Sequence, residues 1–279
     1  MGKLDLRKPV PYNDAPAEDT IAADPEVGAQ VSNKTKIIKL KERNLIMLKN
    51  DLILRNPLRL MGRETDAILP QGGFGVVMAR AGVGKTALLV QLALNSLLRE
   101  INVLHISLDD PVQKVNLWYK EMFRHLSASG ETALVKEVWE SLLPHRFIMT
   151  FKVEGFSVPK LEERLTDLTA QDIFQPSMIL IDEMPFDASI RQPLSEMKEL
   201  AKKFGVHVWF AVTTHRHETP APDGMPTQLT DVADLFEVAI QLQPDGKEIH
   251  VKALKGLEDS EQTKSQVLDP TTMLLVEDK

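Results

Sequence analysis

Gly75-Val76-Val77-Met78-Ala79-Arg80-Ala81-Gly82-Val83-Gly84-Lys85-Thr86-Ala87-Leu88-Leu89-Val90 decides the reading of this chain. A short apolar run rich in β-branched residues leads into a loop with two glycines, and Ala87, Leu88, Leu89, Leu92, Ala93 and Leu97 then recur at helical spacing. Strand, glycine loop, helix is the arrangement in which unhindered main-chain N–H groups at a helix N-terminus can close around phosphate oxygens. In such a loop the lysine, here Lys85, reaches the β- and γ-phosphates, and the hydroxyl of Thr86 holds Mg²⁺.

The pattern G-x-x-x-x-G-K-[ST] is met except at its first position, where Ala79 stands for glycine. Alanine is small enough for a strand end, so residues 79–86 read as a relaxed Walker A loop, with Ala81 to Ala87 as the cofactor-binding segment for ATP and Mg²⁺. The alternative is a glycine turn that happens to precede Lys-Thr; the flanking strand and helix favour the phosphate loop.

Further along, Ser177-Met178-Ile179-Leu180-Ile181-Asp182-Glu183 is a continuous apolar run closing on two acids, a Walker B pattern that would bring Asp182 to the Mg²⁺ shell. Because neighbours in a strand point to opposite faces, Glu183 is expected to turn away from the nucleotide if Asp182 faces it. The run 101–111 is a second buried strand ending in Asp109 and Asp110, at the sheet edge where open α/β folds bind ligands. Asp109 is the candidate for polarising water, and Asp110 is expected to cap the next helix. Residues 112–143 read as helical with a break at 127–130, their Trp and Phe as core. Ser157 reads as the cap of a further helix, and 193–204 as a helix stopped by Gly205. The strand 206–215 ends in Thr214 and His215, candidates for sensing the γ-phosphate. Residues 234–242 and 247–256 flank Pro244-Asp245-Gly246 as an antiparallel pair, with one or two strands more in 266–276.

The chain has 279 residues, 43% hydrophobic and 26% charged, with a net charge of −7. It has no cysteine, which excludes disulfides and thiolate metal sites, and no apolar run of membrane-spanning length; a cytoplasmic protein without a membrane partner is the expectation. Residues 1–33, with Pro9, Pro11, Pro16 and Pro25 among acids, are expected to form a disordered tail. Residues 34–63 form a basic segment, either a strand pair or a helix that packs on a neighbouring subunit. One α/β domain is expected over 64–279.

The order of these motifs resembles the RecA-like P-loop ATPases, the group that holds KaiC, RadA, DnaB and the plasmid RepA helicases. The resemblance covers roughly residues 57–260 and includes the lead-in Gly72-Gly73-Phe74-Gly75. It implies a mostly parallel central sheet flanked by helices with a C-terminal antiparallel extension. Asp109 falls where the family carries its catalytic glutamate, one methylene shorter, which implies slow turnover. Lys255, with Lys252 one residue out of step, is similar to the hairpin finger that reaches a neighbouring subunit's nucleotide. The family implies a homo-oligomer, with a ring hexamer favoured. Two readings follow: a KaiC-like oligomeric regulator or scaffold with a protein partner, and a DNA-dependent motor or recombinase. Residues 184–192 offer one base, Arg191, and 216–228 only Arg216 and His217, so nucleic acid is the less favoured partner.

Overall fold

Strands that alternate with amphipathic helices, and that are apolar on both faces, have to stack in parallel with helices covering each side. The computed structural model has that architecture; it describes residues 25–55, 69–214, 224–257 and 266–278. The chain divides into two units, Met1–Arg43 and Asn44–Lys279, and the sheet lies in the second. Among the described residues the sheet has nine strands in the order β3-β2-β4-β5-β1-β6-β7-β8-β9. They are β1 Phe74–Ala79, β2 Val103–Ser107, β3 Arg146–Thr150, β4 Met178–Asp182, β5 His207–Thr213, β6 Val238–Asp245, β7 Glu248–Lys255, β8 Gln266–Leu268 and β9 Leu275–Glu277. From β3 across to β6 the pairing is parallel, and from β6 to β9 antiparallel.

β1, β2 and β4 are buried along their whole length, and their alternation sorts the core into two layers. Val77, Val103 and Leu180 face helices α2 (Lys85–Leu98), α3 (Val112–Leu126) and α4 (Thr132–Leu142). Val76, Met78, Ile106 and Ile181 face α5 (Val158–Ala170) and α6 (Arg191–Phe204). α6 ends on Gly205 at φ 65°, the left-handed C-terminal position the sequence assigns to it. Ser157 occupies the N-cap of α5, but its hydroxyl makes no capping bond.

Residues 25–54 form one helix, α1 (Pro25–Leu54), so the helical alternative holds there and the strand pair does not; the helix begins inside the 1–33 stretch. Residues 1–24 and 56–68 lie outside the described residues, as do His215 and the loop 216–223. At the far edge β6 and β7 form the expected hairpin, with Gly246 at φ 58° in the turn. Gly256, which follows β7, is required: a Cβ there would sit 1.8 Å from the Glu237 carbonyl oxygen. No described helix is long and apolar enough to cross a membrane.

Candidate nucleotide site

β1 runs through Ala79, which is 1% exposed and in register with Thr213 of β5. The next residues turn sharply, with Gly82 at φ 77° and Gly84 at φ 111°, and the chain enters α2 at Lys85. A Cβ on Gly82 would meet nothing within 4 Å, so the concave side of the loop is open, whereas one on Gly84 would lie 3.1 Å from Leu268. Glycine is needed at both positions for the backbone angle, since left-handed φ is costly for residues with a Cβ. The loop borders a cavity of about 310 Å³ lined by Gly82, Lys85, Thr86, Asp109 and Glu183. Ala81, Gly84 and Ala87 line it as well. Val83 instead packs its side chain against the core.

Three strand ends supply the polar groups. Asp182, the last residue of β4, is 3% exposed and accepts a hydrogen bond from Thr86 Oγ1 at 2.8 Å on Oδ2. Its Oδ1 is buried without a partner. Burial pushes the Asp182 carboxyl up to about 6; Glu183 and Asp110 act in the same direction, against the Thr86 hydrogen bond and Lys85.

Glu183 does not turn away. β4 ends at Asp182, and Glu183 takes φ 62°, which brings its carboxylate to the same side as Asp182. Its Oε1 lies 3.1 Å from the buried Lys85 Nζ, and Oε2 accepts a hydrogen bond from Thr213 Oγ1 at 2.8 Å. The strand alternation that argued against Glu183 therefore stops one residue too early to apply.

The end of β2 is different from the expectation for Asp110. Its carboxylate caps no helix, and the N-cap of α3 is Pro111. Asp110 pairs with Lys114 Nζ at 2.7 Å, and its N–H donates to Ser107 Oγ at 2.9 Å. Asp109 is exposed beside it on the cavity wall. Lys114, Trp118 and Met273 also line the cavity, three residues that the sequence motifs do not place there. Trp118, core by its helical spacing, packs on the core with one part of its ring and borders the cavity with another. Lys114 and Trp118 are four residues apart on one face of α3, a spacing that could have linked them to the Asp109 strand end, whereas Met273 comes from the far end of the chain and carries no local signal. Lys255 lies away from this group, its Nζ donating to the Ala233 carbonyl at 2.7 Å in the same chain. Thr214 continues the β5 end, its N–H donating to the Ala79 carbonyl at 2.9 Å.

The donor set suits a hard cation: a hydroxyl oxygen, a carboxylate, and a buried carboxylate oxygen that lacks a partner. With the open glycine loop at a helix N-terminus, fold and site together define a RecA-like P-loop ATPase fold. Residues 64–216 match the family model of the AAA domain. That span is more than half of the chain, and the chain belongs to this family. Among solved structures the fold is similar to the ATPase domain of a DnaB-like helicase, with a TM-score of 0.55 at 16% sequence identity, covering 75% of this chain and 86% of that one. No curated protein matches the sequence.

Proposed function

We propose that the protein binds ATP with Mg²⁺ in this cavity, hydrolyses it slowly, and acts as an oligomeric regulator or scaffold. The observation that carries this reading is the convergence of Lys85, Thr86, Asp182 and Glu183 on the open face of the Gly82–Gly84 loop. In this Walker A arrangement, main-chain N–H groups of the loop and Lys85 hold the phosphates. Thr86 and Asp182 would hold Mg²⁺, which when bound neutralises charge on the transferring phosphoryl group.

Without nucleotide, Lys85 is paired with Glu183. A γ-phosphate would compete for Lys85 and release the Glu183 carboxylate, still held by Thr213, as the group that orients the attacking water. Asp109, on the same wall, has the family position but the shorter reach. We therefore assign the water-orienting role to Glu183 and a supporting role to Asp109. For Lys255 we propose no action on its own chain's nucleotide; a role as a finger toward a neighbouring subunit follows only from the family resemblance.

Two calorimetric and kinetic measurements test the reading. Lys85→Ala is expected to abolish ATP binding, and unchanged affinity would remove the central claim. Steady-state ATPase of Glu183→Gln and Asp109→Asn at saturating ATP is expected to fall about a hundredfold or more for the first and several-fold for the second. The reverse ranking would return the role to Asp109.

The regulator reading is supported by the region after β4. Arg191, the base in residues 184–192, is engaged by Asp234 through two hydrogen bonds of 2.8 and 2.9 Å. The hollow beside it is lined by Asp187 and Asp231. Acids in that place repel a phosphate backbone. Light scattering after size exclusion, with and without ATP–Mg²⁺ and single-stranded DNA, separates the two readings. A nucleotide-dependent oligomer that leaves DNA unbound is expected, and submicromolar, steeply salt-dependent DNA binding would overturn it.

A further inference from the structure

Between α3 and α4, on the opposite end of α3 from Lys114, lies a second hollow of about 410 Å³. Its floor includes Phe123, Val135 and Trp139, with the Phe123 and Trp139 rings 5.2 Å apart. Its rim carries Lys120, Arg124 and Lys136, and no acidic side chain lines it. That is a local excess of positive charge on a chain whose net charge is −7. Arg124 pairs with Glu121 and Lys136 with Glu140 along their own helices. These are exposed pairs, worth about 0.5 kcal/mol each, and are readily exchanged for an incoming carboxylate.

We propose that this hollow docks an acidic segment of a partner protein that carries a bulky apolar side chain. The apolar anchor seats against Trp139 and Phe123, while flanking carboxylates meet Lys120, Arg124 and Lys136. A pocket walled by aromatic and aliphatic groups, with a charged rim, fits the pattern in which one buried anchor supplies affinity and the rim supplies orientation and rate.

Charge decides among the occupants. The α1 helix of a second copy presents Lys36, Lys39, Lys41, Arg43 and Lys49, which the cationic rim repels. Single-stranded nucleic acid needs exposed ring faces and a track of cations. Here Phe123 is only 4% exposed, and the cations ring a hollow instead of lining a path. This inference does not depend on nucleotide binding.

The test is to pan a random dodecapeptide phage library on the immobilised full chain. Peptides with several Asp or Glu beside Phe, Leu, Ile or Trp are expected to be enriched. A fluorescein-labelled synthetic copy of one is then titrated by anisotropy. Its affinity is expected to fall as NaCl rises. It is also expected to fall about tenfold or more in Lys120→Glu/Lys136→Glu, with a smaller loss in Lys120→Gln/Lys136→Gln. Circular dichroism and the melting temperature show whether each variant is folded; both positions are exposed. Enrichment of peptides without acids, no enrichment at all, or equal affinity for wild type and the charge-reversed variant would each overturn the proposal. So would an oligonucleotide that binds wild type and loses affinity in that variant where the acidic peptides do not.

Discussion

Ala79 stands where the phosphate-loop pattern has glycine, and the structure gives the reason it is tolerated. The residue is the last of β1, still paired with Thr213 and without a left-handed φ; the turn is made by Gly82 and Gly84. A glycine at 79 has no conformational task to perform there and would loosen a strand end. Ala79→Gly is expected to lower stability by about 0.5–1 kcal/mol and to leave ATP affinity unchanged, as urea titration and calorimetry would record. A gain in affinity would mean that the Cβ of Ala79 obstructs the loop. Glu183 is the opposite case: a residue with a Cβ held at positive φ, of the kind that concentrates at functional sites. Its backbone angle, and not its place in the sequence, aims it at Lys85.

At the scale of elements, the turn between β8 and β9 is fastened to α2 by a single side chain. Gln91 donates from Nε2 to the Met273 carbonyl at 2.8 Å and accepts on Oε1 from the Leu275 N–H at 2.9 Å. The turn is also closed internally, since Asp269 Oδ1 accepts from the N–H groups of Thr271 and Thr272 at 2.9 and 2.7 Å. Those backbone hydrogen bonds, with the one from Thr272 the stronger influence, hold the Asp269 carboxyl below the usual range. Met273 thereby reaches the cavity wall. Gln91→Leu keeps the size of the side chain but leaves two main-chain groups without partners. A loss of about 1–3 kcal/mol per buried unpaired group is expected in urea unfolding. ATP affinity should fall with it, because Met273 would no longer be held against the loop; an unchanged affinity would show that Met273 contributes nothing to binding.

At the scale of the molecule, the layer between the sheet and α3 contains a neutral histidine. His105 on β2 is fully buried, its Nδ1 is 3.1 Å from the Tyr119 hydroxyl, and its pKa is lowered to about 3, first by burial and then by the Arg146 guanidinium. The folded protein therefore leaves His105 uncharged, whereas the unfolded chain takes up a proton near pH 6.5. Stability present above pH 6.5 is lost as the pH falls from 6.5 toward 3, at about 1.4 kcal/mol per unit. His207, lowered to about 4 by burial, adds to this in the same sense. Asp182, raised to about 6, works in the opposite sense below pH 6. His105→Gln isolates the contribution of His105. Its unfolding midpoint is expected to change less between about pH 6.5 and 4 than that of wild type, and parallel pH profiles would rule out His105 as the source.

The elements of this protein were legible in its sequence because each is a local matter. The glycines of 82–84, the apolar run into Asp182, the break at 127–130 and Gly205 after α6 act through backbone angles and periodicity that neighbouring residues already encode. The membership of Gly82, Lys85, Thr86, Asp182 and Asp109 in one site was legible too, since parallel strands deliver their ends to one edge. The tertiary structure alone decided three things. Glu183 faces Lys85 because β4 ends one residue earlier. Asp110 bonds Lys114 and leaves the helix uncapped because α3 starts after Pro111. Met273 borders the cavity because the antiparallel strands fold back over α2, where Gln91 holds them. Each depends on where a chain end or a distant segment comes to rest, and a sequence records that only through the packing of the whole.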